Sequence, residues 1–90
     1  MSNFRDNSGH HRYELDAPEG DSFADYRDAG SVRQILHVET APEAQGRGYA
    51  AKLMDGVVAE ARESGRKIRP FCSYARAYFA RHPEAEDVLG

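Results

Sequence analysis

Between Ser31 and Cys72 the spacing of apolar residues changes twice. "SVRQILHVET" (Ser31–Thr40) carries β-branched Val32, Ile35 and Val38 and predicts a strand. From Gly46 onward a helix is expected. Ala50, Leu53, Met54, Val57, Val58 and Ala61 recur at helical spacing, with Lys52, Asp55, Glu60 and Glu63 off that stripe. One face is therefore apolar and packs on a sheet. Gly65 stands where helices usually end. "RKIRPFC" (Arg66–Cys72) then predicts another strand, in which Pro70 marks an edge or a break. A strand, a helix and a strand joined by short links leave little topological choice. The crossover is right-handed, and the second strand lies parallel to the first.

The flanking segments complete the pattern. "RYELD" (Arg12–Asp16) alternates, with Tyr13 and Leu15 on one face, and "SFADYRD" (Ser22–Asp28) is a second strand. "APEGD" and "DAG" are the turns that join them into an antiparallel meander with the strand Ser31–Thr40. "SYARAYFARH" (Ser73–His82) predicts a shorter helix, with Ser73 as its cap and Pro83 just past its end. Val88 and Leu89 dock from the terminal "PEAEDVLG". The expected order is β-β-β-α-β-α, an α+β fold with a mixed antiparallel and parallel sheet. Residues 12–90 form a single domain, and residues 1–11 are polar and read as a flexible tail. His10 and His11 in that tail have no third ligand nearby, so no metal site is expected.

Composition narrows the function classes. A chain of 90 residues holds one small domain with one core. A net charge of -3 exerts no global pull on nucleic acid. No run of about 18 apolar residues suggests a membrane span, and "MSNFRDNSGHHRYELD" has no secretory apolar stretch. The single cysteine, Cys72, cannot form an internal disulfide, which fits a reducing compartment; the cytoplasm is expected.

The segment "QGRGYA" (Gln45–Ala50) sits where the long helix begins. Glycine weakens helices, so two of them at a helix entrance need a reason. A tight turn is one. Access of an anion to the backbone is the other. The first turn of a helix has N–H groups without intrahelical partners, and the helix dipole adds about half a positive charge there. Glycines let a phosphate approach those groups, and Arg47 adds a charge-assisted contact. No Lys-Ser/Thr follows the second glycine, and no G-x-G-x-x-G opens after a first strand, so the common nucleotide loops do not fit.

Gln45-x-x-Gly48-x-Ala50 resembles the Q/R-x-x-G-x-G/A signature of the GNAT superfamily of N-acetyltransferases. The resemblance extends to a group of small stand-alone GNAT-like proteins through "ILHVETAP", "QGRGYAAKL" and "IRPFCSYARAYFARHPE", and it spans Tyr13 to Leu89. It implies a compact GNAT-like fold and acetyl-coenzyme A (acetyl-CoA) as cofactor. It implies acetyl transfer to a primary amine, either a small amine or a protein lysine. A protein that binds coenzyme A without efficient catalysis is the alternative. By the same resemblance, Gln45, Gly46, Arg47, Gly48, Tyr49 and Ala50 cradle the pyrophosphate. The strand before the loop splays from its parallel neighbour, which places Val38, Glu39 and Thr40 beside the acyl-pantetheine arm. Larger family members carry further N-terminal helices and C-terminal strands, and a tyrosine acid four residues after an alanine in the last helix. Counted from Ala75 that position is Phe79, with Tyr78 one residue earlier and about 100° away around the helix.

His37, at a strand end, has an ordinary pKa suited to a base near neutrality; it is equally readable as a packed strand histidine. Glu39, two residues on along the same strand face, is the other candidate base. Cys72, at a helix N-terminus, is a candidate nucleophile, an acid for the leaving thiol, or an inert buried thiol. The resemblance supports His37 and Cys72 together as the catalytic pair. Tyr74 and Tyr78 share a helix face and either flank the cofactor or pack in the core. A monomer or weak homodimer is expected, the Pro70 edge leaving room for a second copy. Neither nucleic acid nor membrane is an expected partner.

Overall fold

The computed structural model describes residues 3–90. Five strands, β1 (Phe4–Asn7), β2 (Arg12–Leu15), β3 (Ser22–Ala29), β4 (Val32–Thr40) and β5 (Lys67–Pro70), form one sheet in chain order. The first four run antiparallel, and β5 lies parallel to β4. Helix α1 (Tyr49–Ser64) makes the crossover, and α2 (Ser73–Arg81) follows β5. The mixed sheet with packed helices is the fold expected from the sequence, with one strand more.

That extra strand corrects the expected tail. Residues 4–11, read as flexible, form β1 and a short 3-10 turn at Ser8–His10; residues 1 and 2 lie outside the described residues. The polar side chains that suggested a solvated tail have partners across the sheet. Arg5 meets Asp16 and Glu14, Asp6 accepts from the Tyr26 hydroxyl, and Asn7 donates to Glu14. Phe4 stacks on Tyr13, ring centroids 5.5 Å apart.

The core lies between one sheet face and the two helices. Tyr13, Ala24, Tyr26, Ile35 and Ile68 come from the sheet. Leu53, Met54, Val57, Val58 and Ala61 are the α1 stripe read from the sequence, and Ala75, Tyr78 and Phe79 come from α2. Val88 closes the far end of this core, as expected. Leu89 forms a parallel bridge to Ile68, and the Gly90 N–H donates to the Ile68 carbonyl at 3.0 Å. These residues cover part of the β5 edge that the sequence left open for a second copy.

One irregularity decides what faces the helices. The β3–β4 register shifts between Asp25 and Tyr26, where Asp25 pairs with His37 and Tyr26 with Ile35. Leu36 is therefore an extra residue, a β-bulge. Arg33 and Ile35 point into the core before it, and Val38 and Thr40 share the inner face after it. Leu36 and His37 both turn outward.

Candidate functional site

After β4 the chain makes a 3-10 turn at Pro42–Ala44 with Ala44 buried, and Gln45 Nε2 donates back to the Thr40 carbonyl at 3.1 Å. Gly46 and Gly48 then adopt left-handed φ values of 79° and 81°. A Cβ on either would meet nothing within 4 Å. Backbone rotation, not crowding, requires these glycines, and the space above them is open. Gly48 is the N-cap of α1, which begins at Tyr49 rather than near Gly46 as the sequence predicts. No side chain caps the helix and no acidic residue occupies its first turn. The early N–H groups and the positive end of the dipole thus face an open groove.

That groove has a volume of about 380 Å³ and is lined by Val38, Thr40, Ala44, Gln45, Gly46, Gly48, Tyr49, Ala50 and Tyr74. Its strand side is an unpaired sheet edge. β4 and β5 pair only from Val32–Lys67 to Ile35–Pro70. The Phe71 and Cys72 N–H groups both reach the Ile35 carbonyl, at 2.9 and 3.4 Å, and α2 then begins. The ladder ends where the chain turns into α2; Lys67 and Phe71 donate on the β4 side, so the missing N–H of Pro70 lies on the other side of the strand. Among the described residues no strand neighbours the outward backbone groups of residues 36–40 on that side. An anion-binding helix end beside an open strand edge suits a long ligand with a charged part and an amide-bearing part.

The sequence model of the GCN5-related N-acetyl-transferase family matches residues 12–88. The chain belongs to this family. A GCN5-like candidate N-acetyltransferase of Staphylococcus aureus, solved by NMR, is 27% identical with a TM-score of 0.73, over 100% of this chain and 91% of that one. A predicted acetyltransferase of Clostridium acetobutylicum, crystallised with acetyl-CoA, has the same fold at 18% identity and a TM-score of 0.54. That match covers 83% of this chain and 58% of that one. No curated protein sequence matches the chain.

Within this acetyltransferase fold, the other residues singled out in the sequence stand outside the groove. His37 and Glu39 lie on the outer sheet face, Nε2 to Oε1 3.0 Å apart, with their side chains 55% and 58% exposed. The His37 ring neighbours Phe23, centroids 6.2 Å apart. Cys72 is half-buried against the core, and its Sγ accepts the Ala75 N–H at 3.4 Å. Cys72, not Ser73, therefore caps α2. Among the described residues no hydrogen bond joins His37 to Cys72; the two approach the β4–β5 divergence from different elements. Tyr78 is turned toward α1. Its hydroxyl donates to Asp55 at 2.6 Å, its ring stacks on His82, and burial pushes its phenol pKa up. Tyr74, its neighbour on the helix face, lines the groove.

Arg47 is also outside the lining and points to a residue that the sequence reading treated only as part of a turn. Glu19, between β2 and β3, accepts the Tyr49 hydroxyl at 2.7 Å and stands 3.6 Å from Arg47 Nη1. No local sequence signal joins Glu19 to the loop, since the contact spans 30 positions.

Among the described residues no helix is long and apolar enough to cross a membrane.

Proposed function

We propose that this chain transfers the acetyl group of acetyl-CoA to a primary amine, with a small amine or a protein lysine as acceptor. The observation that carries this reading is the groove itself, with two left-handed glycines under an uncapped helix end, beside a strand edge that has lost its neighbour. The residues present fit the cofactor. The N–H groups at Gly48, Tyr49 and Ala50 suit a pyrophosphate, with Gln45, Gly46 and Arg47 beside them. The free edge of Val38, Glu39 and Thr40 suits the amides of a pantetheine arm. Tyr74 forms the opposing wall.

Acetyl-CoA supplies an activated thioester. The reaction forms an N–C bond, breaks the C–S bond, and moves a proton from the amine nitrogen to the departing sulfur. His37 takes the proton from the attacking amine. Glu39 holds its Nε2 side and stabilises the imidazolium. Backbone N–H groups on the open β4 edge polarise the carbonyl as negative charge develops. Cys72 either gives its thiol proton to the leaving thiolate and regains one from solvent as His37 releases its own, or takes the acetyl group as a transient thioester, its thiol proton going to the departing sulfur, and then yields the acetyl group to the amine. The outer-face position of His37 gives the amine an approach from the side of the sheet opposite the groove. The lone cysteine suits a reducing cytoplasm.

Binding without transfer is the second reading, favoured by Tyr78, whose hydroxyl is occupied by Asp55 rather than turned to the groove. Calorimetry with acetyl-CoA, followed by mass spectrometry of a polyamine and a lysine peptide incubated with both, separates the two. Binding with acetamide formation supports the transferase. Binding without any acetylated amine supports the second reading, and no binding rejects both.

A further inference from the structure

Glu19 is delivered to the glycine loop by a braced turn. The Gly20 N–H donates to the Ala17 carbonyl at 3.1 Å, and the Ala41 N–H donates to the Asp21 carbonyl at 2.9 Å. Gly20 has φ 148°, and a Cβ there would lie 2.6 Å from the Ala41 Cβ. The turn is therefore packed on the segment that leads into the cradle. Its carboxylate engages two groups of the loop–helix junction, the Tyr49 hydroxyl and the Arg47 guanidinium. The Tyr49 hydrogen bond, followed by a backbone hydrogen bond, holds the Glu19 carboxyl below the usual range, so it is ionised at neutral pH.

We propose that Glu19 is a built-in competitor for the anionic part of the ligand, setting how tightly a diphosphate is held. This rests on the coenzyme A reading of the groove. The carboxylate satisfies Arg47 in the free protein and fixes a negative charge beside the α1 N-terminus. A diphosphate entering the cradle must draw Arg47 away and accept a like charge as neighbour. The Arg47–Glu19 contact is long and Arg47 is 55% exposed. Such pairs are weak, so Glu19 tunes affinity without closing the site. The same repulsion speeds departure of the diphosphate-bearing product.

The test is a CoA titration of the wild type and Glu19→Gln at low and high salt. Glutamine keeps an oxygen for the Tyr49 hydroxyl but removes the charge. CoA should bind about two- to fivefold tighter to the variant at low salt, the range of an exposed ion pair. The gain should shrink at high salt, where exposed charges are screened. In an Arg47→Gln background the gain should be smaller, because part of it acts through Arg47. Wild-type binding with an unchanged or weaker Glu19→Gln overturns the competitor and makes Glu19 a support for Tyr49. A gain equal in both backgrounds overturns the Arg47 route. If neither protein binds CoA, the coenzyme A reading itself falls and this inference with it.

Discussion

The Arg33 guanidinium lies 3.7 Å from the centroid of the Tyr26 ring, almost fully buried beneath the sheet face. It donates twice to Asp28, at 2.6 and 2.9 Å, and once each to Asp6 and the Tyr13 hydroxyl at 3.0 Å. The Tyr13 hydroxyl donates in turn to Glu60, which also accepts from Arg66. One buried cation thus ties β1, β2, β3 and β4 together, and through Glu60 it reaches α1. Arg33→Met removes the cation and leaves its acceptors half-desolvated. Breaking a buried pair typically costs about 3–5 kcal/mol. Asp28 is partly exposed and can rehydrate, so about 2–3 kcal/mol is expected here. Urea unfolding with an unchanged m value measures it.

Gly56→Ala tests whether β1 belongs to the fold. Alanine for glycine inside a helix normally adds about 1 kcal/mol of stability. Here the new Cβ would fall 2.6 Å from the Phe4 ring and 2.7 Å from its Cγ, close to the backbone. Overpacking of this kind costs about 1–3 kcal/mol, so the clash wins. The variant should be less stable, with faster hydrogen exchange in β1. A stabilised variant would show that Phe4 does not rest on α1.

Much of the fold was legible because each local signal agreed with the next. The α1 stripe, the turns at Gly20 and Gly30 and the ending at Gly65 all fall where composition places them. β1 was not legible. Arg5, Asp6 and Asn7 read as solvent-facing; backbone pairing with β2 makes them a strand, and Asp16, Tyr26, Arg33 and Glu14 partner their side chains. The bulge at Leu36 left a trace: Ile35 and Val38 share the inner face three positions apart, which strict alternation does not allow. The cradle was readable from Gly46 and Gly48, whose chemistry is local. The placement of His37 outside the groove was not, because it depends on the inserted Leu36 beside it, which only the pairing of β4 with β3 fixes. Glu19 was silent for the same reason, as its contacts are made 28 and 30 positions away.

Gly48→Ala should separate conformational strain from ligand access. Its φ of 81° costs an L-residue about 1–2 kcal/mol, and no steric clash adds to this. A drop of that size in stability is expected, together with a loss of acetyl-CoA affinity greater than the stability change alone explains. Equal binding by wild type and variant would remove the backbone of Gly48 from the ligand site.

Alkaline pH should unfold the chain through its tyrosines. Burial, as the largest cause, raises the phenol pKa values of Tyr13, Tyr26 and Tyr78, and hydrogen bonds to Glu60, Asp6 and Asp55 add to it. The folded state then keeps protons that the unfolded chain releases near about pH 10. The contribution is fully present below that pH and is lost as pH rises toward the folded values. Phenolate absorbance for these three side chains should appear together with the loss of circular dichroism. Phenolate formation in a chain that stays folded would contradict the buried hydrogen bonds.

The groove between Thr40 and Tyr74 is where acetyl-CoA must bind if this chain is to transfer an acetyl group. Titrating acetyl-CoA into isotope-labelled protein and following the backbone amide signals by NMR tests this directly. The largest shifts should fall on Gly46, Gly48, Tyr49 and Ala50, then on Val38, Glu39 and Thr40 and on Tyr74. Shifts confined to the outer sheet face around Phe23 and His37, or no shifts at saturating ligand, would contradict it.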